Sequence, residues 1–191
     1  ADRDLSWTEY LRSHSGEIIE GLREQIQSIK SGFKFPPDLI RLKMIFHTWQ
    51  LTSTVIDLRD AATELLYHLG RQAPESIFNL TIEFLNVNDS YVSERLLASS
   101  YAVATTLIDS TEYLDASVLY ARNLYNNMFV SDAPNSTTHL LAREYASCTL
   151  RLINFYFPDK LKDIDQSIFQ HPFQQMPRKT WENIRPDRDV N

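Results

Sequence analysis

The sequence predicts an all-α fold in which antiparallel helix hairpins stack as a helical repeat. Three observations predict it. Apolar residues recur at three-to-four spacing along most of the chain. Only four glycines and eight prolines occur among 191 residues, and β-branched residues do not cluster in alternating runs. An Arg-x-x-Ala segment occurs three times, each time early in a predicted helix that follows a turn and another helix.

The recurring segment sets the period of the repeat. Its fixed positions lie 36 and then 48 residues apart, a period in the range of HEAT-like repeats. We therefore predict a HEAT-like α-solenoid of about three antiparallel helix hairpins, with an extra N-terminal helix and an extended C-terminal tail. A plain helical bundle stays open, because the segment has only two fixed letters. The predicted structural repeat positions are Arg59, Ala62, Arg95, Ala98, Arg143 and Ala146.

The elements follow from the turn signals. Residues 1–157 are predicted to form the helical-repeat domain, and Gly16 is a point where its first helix could divide. After Pro158 the helical pattern ends, so residues 158–191 should form an extended tail that docks through Phe169, Phe173 and Trp181 or leads to a further region. The predicted elements of the domain are the N-terminal helix 6–29 and hairpins at about 38–69, 75–108 and 111–157.

Each helix is expected to bury one apolar stripe. Gly70 is expected to end a helix in the left-handed conformation. The linker aromatics Phe33 and Phe35 are either docked or exposed to a partner, and docking is the prediction. The predicted core stripes are Leu39, Leu42, Ile45, Phe46 and Trp49 in the first hairpin; Leu58, Ala62, Leu65, Leu66 and Leu69 in its return helix; and Leu140, Tyr145, Cys148, Leu152 and Phe155 in the last helix.

Composition excludes several partners. A formal charge of −6 disfavours a nucleic-acid surface, because phosphate binding depends on Lys and Arg. No apolar run is long enough to span a bilayer, so no membrane contact is predicted. The single cysteine, Cys148, suits a reducing compartment and is expected to be a buried packing residue, which makes the cytoplasm the expected location. Because the chain lacks an initiator Met, we expect it to be a piece of a longer protein.

The residues predict no catalytic, cofactor-binding or metal-binding site. Four scattered glycines form no phosphate-binding loop, and the five histidines never fall at His-x-x-x-His spacing. His47 and His68 lie on neighbouring predicted helices, yet surface or packed histidines are the expected outcome. Arg59, Arg95 and Arg143 are expected to fix the stacking of hairpins, with a shared anionic ligand as the alternative. No enzyme activity and no cofactor are predicted for this chain.

Three stretches resemble a known family. Val87–Ala104 (VNDSYVSERLLASSYAVA) is similar to a repeat of the HEAT-like C-terminal regions of bacterial antiviral STAND NTPases, the Avs proteins. Leu51–Leu69 resembles the hairpin before that repeat, and Asn135–Ile153 resembles the segment after it. The likeness spans about residues 38–153 and matches in order and spacing.

The resemblance implies a sensor. In that family the helical array recognises a phage protein, and this drives oligomerisation of an NTPase module that activates an effector. The NTPase and effector motifs are absent from this chain, so it would be the non-catalytic, protein-binding part, and no partner-binding residue can be transferred. A generic HEAT-like scaffold or adaptor unrelated to defence is the alternative. A helical enzyme with a pocket between hairpins is the third candidate, with no residue pattern in its favour.

Overall fold

Eight α-helices account for most of the chain in the computed structural model, which describes residues 2–169 and the side chains of residues 4–167. No strand occurs within this range, which confirms the predicted all-α class. Short 3₁₀ turns lie at Phe84–Asn86, Thr111–Tyr113, Pro158–Lys160 and Gln166–Phe169. The helices are α1 (Asp2–Ser13), α2 (Ser15–Lys30), α3 (Pro37–Gln50), α4 (Ile56–Gln72), α5 (Pro74–Glu83), α6 (Ser90–Thr106), α7 (Leu114–Met128) and α8 (Leu140–Tyr156).

The helices pack in two rows of neighbours. In the first row α2 contacts α4, α4 contacts α6, and α6 contacts α8. In the second row α3 contacts α5, and α5 contacts α7. Sequential helices pair across the rows, α3 with α4, α5 with α6 and α7 with α8. Helix α6 therefore lies between α4 and α8 and has neighbours in both rows.

The N-terminal region predicted as one helix over 6–29 consists of two. Helix α1 ends at Ser13 and α2 begins at Ser15, so the division lies two residues before Gly16. The linker that follows is docked on α4 through Gln72, whose side chain accepts from the Phe35 amide at 3.0 Å and donates to the Phe33 carbonyl at 2.9 Å. Phe35 packs against the core as predicted, whereas Phe33 stays half exposed.

The return helix of the first predicted hairpin buries its expected stripe. All five residues named for α4, from Leu58 to Leu69, are buried. The role predicted for Gly70 is wrong, because α4 continues to Gln72 and the left-handed conformation occurs at Gly32 instead. Gly70 is buried at a close approach: a Cβ there would lie 2.8 Å from Val103 Cγ2 and 2.9 Å from Ile77 Cγ2. Gly70 therefore serves packing between helices.

The stripe predicted for α3 is wrong for four of its five members. Leu39, Leu42, Phe46 and Trp49 are exposed, and only Ile45 is partly buried against the core. The buried side of α3 carries instead Ile40, Met44, His47, Thr48 and Gln50. Apolar residues occupy both sides of this helix at helical spacing, so periodicity alone could not decide which side faces α4.

The stripe predicted for α8 is correct only in part. Tyr145 and Leu152 are partly buried against the core and Cys148 is partly buried, whereas Leu140 and Phe155 are exposed. The fully buried side carries the small residues Ala142, Ala146 and Ser147 with Leu150 and Ile153. Small side chains let α8 approach α6 closely.

The described part of the tail docks through aliphatic side chains. Leu161 and Ile164 are buried in the core. Arg122 of α7 fixes the same segment by donating to the Lys160 carbonyl at 2.6 Å and to both carboxylate oxygens of Asp163 at 2.8 Å. The guanidinium holds the pKa of the Asp163 carboxyl at about 2. The predicted docking of Phe173 and Trp181 lies outside the described residues, as does the side chain of Phe169.

Candidate functional site

The exposed residues Leu39, Leu42, Phe46 and Trp49 form one apolar surface, which we call the α3 stripe. They are spaced three, four and three residues apart, so they share one side of the helix. Each is between 41% and 64% exposed. Single exposed apolar side chains are ordinary on a protein surface, but a contiguous set containing Trp and Phe is typical of a protein-binding surface.

Contacts near both ends of the α3 stripe hold helix α3 in place. The Trp7 indole of α1 donates from Nε1 to the Trp49 carbonyl and to Thr52 Oγ1, each at 3.2 Å. Trp49 also packs edge-to-face on Phe84, with ring centroids 6.1 Å apart. Arg41 donates to both oxygens of Glu83, which joins α3 to α5. The stripe is therefore presented on a helix that is fixed on several sides.

The buried side of α3 contains polar groups that satisfy one another. His47 Nδ1 lies 2.9 Å from Gln50 Oε1, and Thr48 donates to the Met44 carbonyl at 2.8 Å. Burial lowers the pKa of His47 to about 4, and the charge of Lys43 acts in the same direction. His47 is therefore neutral at neutral pH. In the sequence, the polar residues His47 and Gln50 made this side of α3 look exposed.

Two of the predicted repeat arginines make matching contacts. Arg59 donates from Nη1 to the Ser53 carbonyl at 2.6 Å, and Arg143 donates from Nη1 to the Thr137 carbonyl at 3.3 Å. Each acceptor lies six residues before its arginine. Each guanidinium also lies over an aromatic ring, Tyr91 for Arg59 at 4.4 Å and Phe129 for Arg143 at 5.3 Å. Both side chains thus hold the loop before their helix.

Arg95 makes different contacts from the other two. It pairs with Asp60 of α4 and lies 3.7 Å from Glu94, which is buried and is also 3.5 Å from His139 Nε2 of the loop before α8. This network joins α4, α6 and the segment leading into α8. Ala62 and Ala146 are fully buried, whereas Ala98 is only partly buried. Equivalence of the three Arg-x-x-Ala segments stays a prediction.

Cys148 differs from its predicted surroundings. It is partly buried, and its Sγ lies 3.3 Å from Glu144 Oε1 and 3.1 Å from Arg151 Nη2. Burial raises the pKa of its thiol. Cys148 is therefore part of a polar cluster on α8 and not an apolar packing residue.

The two histidines on neighbouring helices, His47 and His68, have different polar surroundings. His47 bonds to Gln50, while the His68 Nε2 lies 3.7 Å from Glu64 Oε1 of its own helix. Burial lowers the pKa of His68 as well. Across the side chains that the structure describes, no group of three His, Cys, Asp or Glu residues is placed to hold a metal ion.

None of the α-helices between residues 2 and 169 combines the length and the apolar character needed to cross a bilayer. Comparisons with models of known families, with curated proteins and with solved structures give no match.

Proposed function

We propose that the chain is a non-catalytic, protein-binding segment of stacked HEAT-like hairpins. The α3 stripe carries this proposal, because it presents Leu39, Leu42, Phe46 and Trp49 to solvent on a helix fixed by its neighbours. Tryptophan and other large side chains on a rigid element are typical binding hot spots, since they lose little conformational freedom on binding. The two rows of helices support a solenoid, in which successive hairpins add to both rows.

The parent protein in this proposal is a cytoplasmic bacterial antiphage sensor of the STAND NTPase class. Its helical array recognises a phage protein, and binding triggers oligomerisation of NTPase and effector modules. The support is the resemblance over residues 38–153, in which three segments occur in the same order as in that class. A generic scaffold would share the same surface and differ in its partner, so the identity of the partner distinguishes the two functions.

A capture experiment tests the proposal. The intact protein is immobilised and exposed to lysates of phage-infected and uninfected bacteria, beside a Leu42→Glu/Phe46→Glu variant. The matched control is Leu119→Glu, which places a charge on α7 at a position where the leucine side chain is 57% exposed. We expect one phage protein to be enriched from the infected lysate by the unmodified chain and the control but not by the double variant.

Other outcomes are equally clear. No enrichment by a correctly folded chain would refute the sensor function. Enrichment of one host protein from both lysates, lost in the double variant, would favour the scaffold. Equal enrichment by all three proteins would show that the α3 stripe is not the binding surface.

A further inference from the structure

A polar groove lies where the loops of the three hairpins meet. Its walls are the segments 52–54, between α3 and α4, 85–91, between α5 and α6, and 134–137, between α7 and α8. The groove has a volume of about 820 Å³, within the range of ligand sites, roughly 300–1,000 Å³. It lies on different residues from the α3 stripe.

The groove is lined by both apolar and polar side chains, and amides and hydroxyls supply much of its polar surface. Asn86, Asn88 and Asn135 contribute side-chain amides, and Ser53, Ser93 and Thr137 contribute hydroxyls. An amide group offers both donors and an acceptor, which matches the N–H and C=O groups of an extended polypeptide. This lining therefore suits main-chain recognition.

Arg59 gives the groove a buried positive charge. The residue lines the groove and is only 7% exposed. Its one hydrogen bond within the described chain runs from Nη1 to the Ser53 carbonyl, and Tyr91 covers its guanidinium. The Nε atom is buried with no acceptor, and no carboxylate of the described residues lies within ion-pair distance of Arg59. A buried guanidinium without a counter-ion is costly, so an arriving carboxylate would be favoured there.

Charge balance limits what can bind. Arg59 and Asp89 are the charged residues that line the groove, so its formal charges cancel. Asp89 is already engaged as the N-cap of α6, where it accepts from the Tyr91 amide at 2.9 Å. A polyanion such as RNA would meet this carboxylate and a protein of net charge −6. A single carboxylate on an otherwise neutral chain avoids that repulsion.

We propose that this groove binds an extended peptide segment of a partner protein that carries one Asp or Glu side chain. The carboxylate pairs with the Arg59 guanidinium, whose planar donors match a carboxylate. The asparagine and serine side chains of the groove bond to the main chain on either side. This proposal rests on the proposed protein-binding function of the chain. It uses no residue of the α3 stripe, so either binding surface can be disproved without the other.

The first test uses the intact 191-residue chain and a random peptide library displayed on ribosomes. We expect the selected peptides to share one acidic position. The tightest peptide is then compared with the same peptide carrying Gln or Asn at that position. Hydrogen bonds to a charged group are strong, so we expect a loss of affinity of at least about tenfold. In ¹⁵N NMR spectra, the signals of the Arg59 Nε–H group and of the Asn88 and Tyr91 amides should shift on binding.

Variants assign the effect to Arg59. Arg59→Gln should lose binding, and Arg59→Lys should weaken it because the charge remains while the planar donors are lost. Arg151→Gln is the control, since Arg151 pairs with Glu144 on α8, does not line the groove and contacts no residue that lines it. If Arg59→Gln fails to fold, the comparison of the acidic and amide peptides on the unmodified chain still decides the question.

Three results would overturn the proposal. The selected peptides could lack a common acidic position, or the acidic and amide peptides could bind equally. A single-stranded oligonucleotide could displace the peptide and shift the same signals at lower concentration, which would make the groove a nucleic-acid site.

Discussion

At the scale of single residues, several buried polar groups of this protein are held by specific partners. His47 and Gln50 bond to each other on the inner side of α3, and Thr81 Oγ1 lies 2.6 Å from Ser100 Oγ between α5 and α6. Such pairs avoid the cost of leaving a buried donor or acceptor unsatisfied. Where one partner is a histidine, the contribution of the pair to stability depends on whether the histidine is protonated.

We expect the free energy of unfolding to fall as the pH falls, because the pKa of His47 is lower in the folded protein than in the unfolded chain. Its pKa is 6.5 in the unfolded chain and about 4 in the folded protein, so the unfolded state binds the proton first. Between pH 7.5 and pH 5, His47 should therefore remove about 2 kcal/mol of stability. Urea unfolding at both pH values measures this loss.

The control for this effect is His47→Gln, which keeps a hydrogen-bonding side chain next to Gln50. Between pH 7.5 and pH 5, the variant should lose about 2 kcal/mol less stability than the unmodified protein. His68 also has a lowered pKa and titrates in both proteins, so its contribution cancels in the comparison. An identical pH dependence in both would show that His47 is not buried in neutral form.

We expect Gly70→Ala to destabilise the protein although alanine favours helices. The new methyl group would meet Val103 Cγ2 and Ile77 Cγ2 at less than 3.0 Å, and both are stiff β-branched side chains. The expected cost is roughly 1–3 kcal/mol. Gly21→Ala in α2 is the control, since nothing lies within 4 Å of its Cβ, and it should stabilise the protein by about 0.5–1 kcal/mol. Denaturant unfolding of both variants distinguishes a close approach from a freely substitutable glycine.

At the scale of helices, the orientation of α3 determines which surface is free to bind. One side carries Ile40 and Met44 into the core, and the opposite side carries Leu42 and Phe46 to solvent. Both sides have helical spacing, so the sequence offers two apolar faces and α4 can cover only one. The second apolar face is what makes α3 a candidate binding element.

The same helices show how far sequence patterns reach. The stripe of α4 was predicted correctly because its apolar residues lie on one side only. In α3 the polar residues His47 and Gln50 made the true inner side look solvent-exposed, and pairing between them could be seen only once the helix was placed. In α8 the inner side is built from Ala142, Ala146 and Ser147, and small residues give a weak hydrophobic signal.

The groove at the loop ends shows a different limit. Arg59 stands out in the sequence for its position in a repeated segment. The groove itself joins loops that are far apart in sequence, from Thr52 to Thr137. Local periodicity carries no information on such a meeting of loops, and it could not show that the Arg59 guanidinium lacks a carboxylate partner. The repeat position was thus available from sequence, and the site was not.

We expect single substitutions on the two sides of α3 to differ sharply in stability. Leu42→Gln alters a side chain that is mostly in solvent, so the free energy of unfolding should change by no more than about 0.5 kcal/mol. Met44→Ala removes a fully buried side chain and should cost roughly 2–5 kcal/mol. Thermal or denaturant unfolding measures both, and comparable losses would mean that the stripe is part of the core.

At the scale of the whole molecule, the contacts between helices leave the two proposed binding surfaces open to solvent. The inner contacts run from helix to helix along each row, with α6 between its neighbours. The α3 stripe and the groove are open to solvent beside those contacts, so a partner can reach them without rearranging the core. A partner that used both would contact one helix face and one end of the hairpins, which gives the proposed recognition two independent anchors.

The most direct test of the proposed function is site-specific crosslinking during phage infection. A photo-crosslinking phenylalanine analogue is placed at Phe46 in the α3 stripe, and the matched control carries it at Leu119 on α7. We expect the phage protein captured by the intact chain to crosslink from position 46 and not from position 119. Capture of that protein with no crosslink from position 46, or with equal crosslinks from both positions, would contradict it.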